Sequence, residues 1–356
     1  MMAAAGPASR LPMFRDRTNT IATIALGLLV AYFAYSFGQW AVVHAVWSLP
    51  AGASSLACRA VRGEGACWAV VVERARFMIF GGYPLGEQWR PMVVCLLFVS
   101  LYAASLVRAL WTRWLLMLWI AASSIAVVLL RGGWLGLTDV PSEFWGGLPL
   151  TFLLSTAGFT LALPFAVLLA LGRRSTLPAI RALSIGYIEV VRGVPVITFL
   201  FMASVMFPLF APQGFTVDKL ARAQIAFVMV TAAYVAEVVR SGLQAVPRGQ
   251  YEAAASIGLP FWPAMILVVL PQALRVSIPA LVNTFIALFK DTSLVIVIGL
   301  FDLLGAAKAV IVEARWVGFG VEVYLFAAAV YFGFCYLVSR FSLRLERELQ
   351  RAGGAA

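Results

Sequence analysis

Apolar runs of roughly 20 residues, the length a helix needs to cross a bilayer, recur along this chain of 356 residues. Reading each run as a spanning helix gives an all-α integral membrane protein with about eight transmembrane helices. The runs are 20–43, 91–109, 113–131, 147–171, 183–210, 223–246, 273–290 and 321–341. Pro195 and Pro279 fall within the fifth and seventh and are expected to kink them. Residues 291–320 are apolar but interrupted by Asp302, Gly305 and Lys308, which reads as a short or re-entrant segment followed by an outer loop.

Composition agrees. Only 12% of residues are charged and 62% are hydrophobic, whereas a soluble domain carries about a quarter charged residues. The net charge of +11 does not point to nucleic acid, because the basic residues cluster beside the apolar runs. Arg10, Arg15 and Arg17 precede the first run, Arg108 and Arg113 separate the second from the third, Arg173 and Arg174 follow the fourth, and Arg340, Arg344, Arg347 and Arg351 follow the last. With eight spans all of these, and Arg248, fall on one side, which the positive-inside rule makes cytoplasmic, with both termini inside. The outer loop 44–90 runs against this trend with five arginines and three glutamates, a conflict that long loops tolerate. That loop also holds Cys58 and Cys67, and the residues leave open a disulfide or two free thiols. Cys95 and Cys335 sit within spans as packing residues. A single His and no cluster at metal-ligand spacing give no expectation of a haem or zinc site. The Ala/Gly/Pro-rich start, Met1 to Pro12, is expected to be disordered, and the first run is too long for a cleaved signal sequence.

A polar break between two apolar runs, QYEAAASIGLPFWPAMILVVLPQ (250–272), carries the most specific signal. Pro247 closes the preceding span, Ala253, Ala254 and Ala255 favour helix, and Gly258 with Pro260 stops it after about two turns. So short a helix is unstable alone in water and requires something to dock on. Small alanines permit close approach, and Glu252 near the helix start suits the helix dipole.

The pattern Glu252, Ala253, Ala254, Gly258, Leu270, Pro271 resembles the EAA loop of permease subunits of bacterial ABC importers, with Val268 where the pattern usually has Ile. The segments 172–210 and FKDTSLVIVIGLFDLLG (289–305) resemble the polar-amino-acid subfamily, and the added N-terminal spans resemble general L-amino-acid permease subunits of Gram-negative bacteria. The resemblance implies a five-helix ABC importer permease core (MetI-like) at 146–350, with a cytoplasmic coupling loop at 247–272. It would be preceded by a three-helix extension at 1–145 carrying outer loop 44–90. Three added helices move the N-terminus to the cytoplasm without inverting the core. The resemblance further implies a bacterial inner-membrane location, cytoplasmic ABC ATPase subunits that bind ATP and Mg, a second homologous permease subunit in a heterodimer, a periplasmic amino-acid-binding protein, and an L-amino acid as cargo. No phosphate-binding G-x-x-x-x-G-K-[ST] sequence occurs in this chain, so it is not expected to be an enzyme by itself.

Charged residues inside spans are costly and draw scrutiny. Glu189 with Arg192, and Glu237 with Arg240, are each three apart and are expected to pair within their helices, fixing helix ends near the cytoplasmic interface. Lys290, Asp291, Thr292 and Ser293 together offer an ammonium partner, a carboxylate partner and hydroxyls, and are candidates for the substrate path. Thr151, Ser155, Thr156 and Thr160 form a stripe on the fourth span that either faces a pore or packs helices. A transporter driven by an ion gradient, with broken helices binding substrate at the midplane, is the alternative. It has no need of a docking helix ending at Gly258.

Overall fold

The computed structural model describes residues 16–49, 56–105, 107, 114–134, 136–212, 214 and 216–353. Arg10, Arg15, Arg108, Arg113 and the segment Met1 to Pro12 lie outside them. The chain divides into two compact units, residues 1–73 with 313–322, and residues 74–312 with 323–356.

In the first unit, α1 (Arg17–Gly38) continues into a π turn, Gln39–Val43, and α2 (Leu56–Ala60) and the start of α3 (Ala69–Phe80) follow. Cys58 and Cys67 are disulfide-bonded and fully buried. Glu322 accepts the Cys67 N–H at 2.8 Å, Trp68 donates to the Ala41 carbonyl at 2.7 Å, and Trp316 is wholly enclosed.

The second unit holds α4 (Trp89–Ser105), α5 (Trp114–Arg131), α6 (Gly147–Arg173), α7 (Pro178–Gly193), α8 (Val196–Phe201), α9 (Phe207–Phe210), α10 (Lys219–Ala245) and α11 (Arg248–Ser256). It continues with α12 (Phe261–Ala264), α13 (Leu270–Asp291), α14 (Leu303–Ile311) and most of α15 (Gly320–Gly353). Among the described residues, six helical stretches are long and apolar enough to cross a membrane, and a seventh arises if the bent pair 178–193 and 196–210 is one span. α4, 17 residues long, occupies the remaining expected run, 91–109.

Proline chemistry explains the irregularities. Pro195 has no N–H and drives Val194 into an extended conformation (φ −110°, ψ 134°), so the fifth run breaks with a 99° bend rather than a mild kink. Pro208 and Pro271 each follow a π turn, Met202–Met206 and Met265–Val269, which widens the helix just before the ring. The carbonyl four residues before Pro208 belongs to Ser204, and the Arg222 guanidinium donates to it at 2.5 Å. Pro279, by contrast, is absorbed within a continuous α13. The seventh run therefore begins earlier than expected, at Phe261, and the second half of the 247–272 loop is helix.

The core is built on close helix approach. Gly158, Ala162, Ala166 and Ala170 form a buried stripe at four-residue spacing on α6, and Ala223, Ala226, Ala233 and Ala236 are buried on α10. Small side chains let helix backbones pack tightly in lipid, where no hydrophobic drive brings helices together. At Gly242 an added Cβ would collide with Ser277 Oγ and the Ala273 carbonyl of α13, so that crossing requires glycine.

Candidate coupling surface and intramembrane polar residues

The short helix expected in the polar break is α11, whose nine residues run from Arg248 to Ser256. Its stop is a Schellman motif: Gly258 N–H donates to the Ala255 carbonyl at 2.9 Å and Leu259 N–H to the Ala254 carbonyl at 3.1 Å. Gly258 has φ +79°, a left-handed conformation for which glycine has no penalty. Glu252 falls at the fifth position of the helix, beyond the first turn, so its expected dipole contact is not made.

One face of α11 is tied down. Tyr251 Oη donates to the Leu243 carbonyl at 3.1 Å, satisfying one of the orphan carbonyls at the end of α10. Arg174 donates to Tyr251 Oη at 3.1 Å and lies over its ring at 5.8 Å. Gln272 Nε2 bridges the Gln250 side chain at 3.0 Å and the Val268 carbonyl at 2.9 Å. Ala254 is buried beneath the helix, so it belongs to the anchored face. Glu252, Ala253, Ala255, Ser256, Ile257 and Gly258 are exposed, Ile257 at 75%. Leu270 and Pro271 lie apart from this face, at the π-turn entry to α13, where they set the helix start. Tyr251 was not singled out from sequence, and Arg174 only as a basic residue beside a span; an aromatic hydroxyl beside the alanine run was the available signal.

Near the anchor, five charged side chains from three helices meet. Arg173 at the end of α6 reaches Glu189 of α7 at 3.1 Å and Glu237 of α10 at 2.6 Å. Glu237 also pairs with Arg240 at 2.9 Å, as expected, and with Arg192 at 3.8 Å. The expected Glu189–Arg192 pair is corrected: Glu189 goes to Arg173, while Arg192 turns toward α10 and lies 5.5 Å from the Tyr234 ring centre. The reason is geometric, since the end of α6 places a cation between two carboxylates that no sequence spacing relates.

The structure separates the candidates at the end of α13. Lys290 is exposed, and Asp291 and Ser293 are half-buried. Thr292 is fully buried, donating to the Phe289 carbonyl at 2.9 Å and lying 3.4 Å from Asp302 Oδ2. Asp302 caps α14, accepting Gly305 N–H at 2.8 Å, and also accepts Tyr331 Oη at 2.7 Å. Thr151 Oγ1 accepts the Leu303 N–H at 3.1 Å and Ser155 donates to the Thr151 carbonyl at 2.7 Å, both wholly buried. Thr156 shares a 2.5 Å hydrogen bond with Tyr102. Thr151, Ser155 and Thr156 thus spend their hydroxyls within the helix packing, while Thr160 lines a cavity. No group of three or more His, Cys, Asp or Glu arranged to hold a metal occurs among the described residues.

Residues 158–351 match the family described as binding-protein-dependent transport system inner membrane component. The inner membrane amino-acid ABC transporter permease protein YhdY of Escherichia coli is 43% identical over 95% of this chain and 91% of its own length. The glutamate/glutamine/aspartate/asparagine transport system permease protein BztC of Rhodobacter capsulatus is 35% identical over 95% of this chain and 92% of its own length. The crystal structure of an amino acid ABC transporter with histidines superposes with a TM-score of 0.50 at 33% identity, covering 57% of this chain and 92% of that one.

Proposed function

This chain belongs to the binding-protein-dependent transport system inner membrane components, and from that premise we propose that it is the translocation subunit of an ATP-driven importer of L-amino acids. The observation that carries the reading is α11: a helix anchored on one face through Tyr251, Gln250 and Ala254, with an exposed face around Glu252, Ala253 and Ile257 for a partner. That partner is a cytoplasmic ATPase, which supplies ATP and Mg. The amino-acid permeases among the relatives favour this reading over an ion-gradient-driven transporter.

In this reading 146–350 form the permease core and 1–145 an added extension with outer loop 44–90. The chain lies in a bacterial inner membrane with both termini cytoplasmic. A second homologous permease subunit sits beside it as a heterodimer, and a periplasmic binding protein delivers the amino acid. The disulfide of Cys58 and Cys67 suits an oxidising outer face. Closure of the ATPase subunits moves α11. Tyr251 and Arg174 carry that motion to the ends of α10 and α6, where the Arg173 cluster ties in α7. The bent pair α7–α8 and the end of α13 then change access, a two-state element biased by nucleotide. Asp291 is assigned to the substrate ammonium, with Lys290 and Ser293 for carboxylate or polar groups; Thr292, expected beside them, is taken out of that set because it is fully buried with its hydroxyl on the Phe289 carbonyl.

Co-purification of the tagged chain from its native membrane tests this directly. An associated ATPase stimulated by an amino-acid-loaded binding protein is the expected result. A chain that purifies alone and moves amino acids on an ion gradient would overturn it. Asp291→Ala is expected to impair uptake while the subunit still assembles; unchanged uptake of several amino acids would remove Asp291 from the path.

A further inference from the structure

Between α4 and α5 on one side and α6, α13 and α15 on the other lies a cavity of about 470 Å³. It is roughly three times the ~150 Å³ apolar cavity that already takes up benzene in an engineered protein. Its inner end is aromatic, with Tyr102, Trp119, Phe285 and Phe334. Tyr102 and Thr156 spend their hydroxyls on each other at 2.5 Å and Ser105 donates to the Leu101 carbonyl at 2.8 Å, so beside Thr160 the apolar lining gives a polar ligand little to bind.

The mouth is what identifies the occupant. Val99, Leu116 and Leu337 line the cavity and are 49%, 39% and 64% exposed, so it opens sideways between membrane-spanning helices rather than toward water. Along α15 the lining residues Phe334, Leu337 and Phe341 form a stripe at helical spacing. Continued by seven residues from Leu337, that stripe arrives at Arg344, and Arg340 and Arg347 lie on either side of it, all three exposed. An apolar slot open to lipid, ending in a row of cations, is complementary to one amphiphile: a long hydrocarbon chain bearing an anionic head.

We propose that this cavity is a binding site for one acyl chain of an anionic membrane phospholipid, with its headgroup on the Arg340–Arg344–Arg347 row. The site joins the helices of the N-terminal extension to those of the core, and a bound chain fills space that the side chains leave open. Long apolar chains gain from such a slot through dispersion contacts with every wall. The basic row then selects among headgroups, as polybasic segments beside spanning helices do.

The test uses the full chain with whatever subunits accompany it, exchanged into vesicles of equal parts phosphatidylglycerol and phosphatidylcholine, then extracted in detergent for native mass spectrometry. Retained phosphatidylglycerol, at several-fold excess over phosphatidylcholine, is expected for the unaltered chain. Leu281→Trp places an indole in the slot and should abolish retention. The pair Arg340→Gln and Arg344→Gln, which leaves the lining intact, should hold lipid without preferring either headgroup. An unaltered chain that emerges free of lipid would overturn the proposal. So would a preference for phosphatidylglycerol that survives the double arginine replacement, and that variant decides the matter even where Leu281→Trp fails to fold. Retention of another segment or subunit in the slot, shown by a cross-link from Leu281→Cys, would also overturn it.

Discussion

Tyr251 Oη donates to the Leu243 carbonyl at 3.1 Å, fastening the exposed nine-residue helix α11 to the end of the 27-residue helix α10. A helix of that length has no stability of its own in water, so its orientation depends on this anchor and on the Gln250–Gln272 bridge. Removing only the hydroxyl separates anchoring from packing. Tyr251→Phe should cost about 1 kcal/mol of local stability and lower binding-protein-stimulated ATP hydrolysis several-fold in reconstituted vesicles, while membrane insertion stays normal. Tyr251→Ala, which also strips the ring beneath Arg174, should do worse. Equal, wild-type rates for both would mean that α11 needs no such tie.

Gly258 should tolerate asparagine better than alanine. An added Cβ meets open space there, so size is not the obstacle; φ of +79° is. The left-handed conformation costs an ordinary L-residue roughly 1–2 kcal/mol, and Asn less. Stimulated ATPase and transport should therefore fall in the order Gly, Asn, Ala. A rank that follows side-chain volume instead would contradict the backbone argument.

Arg173 touches two carboxylates on two other helices, whereas Arg192 reaches only Glu237, at 3.8 Å. Because Glu189 is 59% exposed, that bond is partly screened, and the loss is put at about 1 kcal/mol for Arg173→Gln. Thermal unfolding in detergent should show a larger drop for Arg173→Gln than for Arg192→Gln. In a double-mutant cycle Arg173 should couple to Glu237 more strongly than to Glu189. Identical drops for the two arginines would argue that the cluster has no centre.

Arg222 answers a vacancy made by a proline. Pro208 cannot donate back along its helix, and the guanidinium meets the Ser204 carbonyl at 2.5 Å. Arg222→Leu leaves that carbonyl unsatisfied at a cost of about 1–3 kcal/mol. Restoring an N–H with Pro208→Ala should recover part of the lost stability. Absence of any rescue would show that Arg222 acts through another contact.

Much of this architecture was legible because it is local. Run length placed most spanning helices to within a few residues, though the seventh starts 12 residues earlier and the last ends 12 residues later than expected. Pro247, Gly258 and Pro260 bracketed α11, since a proline or a left-handed glycine acts on its own turn of backbone. The start of the seventh run was misjudged at 273 because the whole of 250–272 reads as a polar break, and only the π turn at 265–269 shows how the helix runs through Pro271. The irregularity at Pro195 was located from sequence; the 99° angle was not.

What the chain could not specify locally was which polar groups find one another. Glu189 and Arg192 had the spacing to pair, but the packing of α6 against α10 brings Arg173 between Glu189 and Glu237, and a cation facing two carboxylates wins. Thr151 and Ser155 had the spacing of a pore stripe, yet the segment after α13 folds back so that Leu303 N–H meets Thr151 and closes that face. The sequence by itself determined where most helices begin, break and end, because those decisions rest largely on backbone chemistry within a few residues. The tertiary structure alone decided which faces are anchored, sealed or left open for a partner. Those outcomes depend on helices separated by tens of residues approaching within hydrogen-bond distance, where small side chains on α6 and α10 permit it.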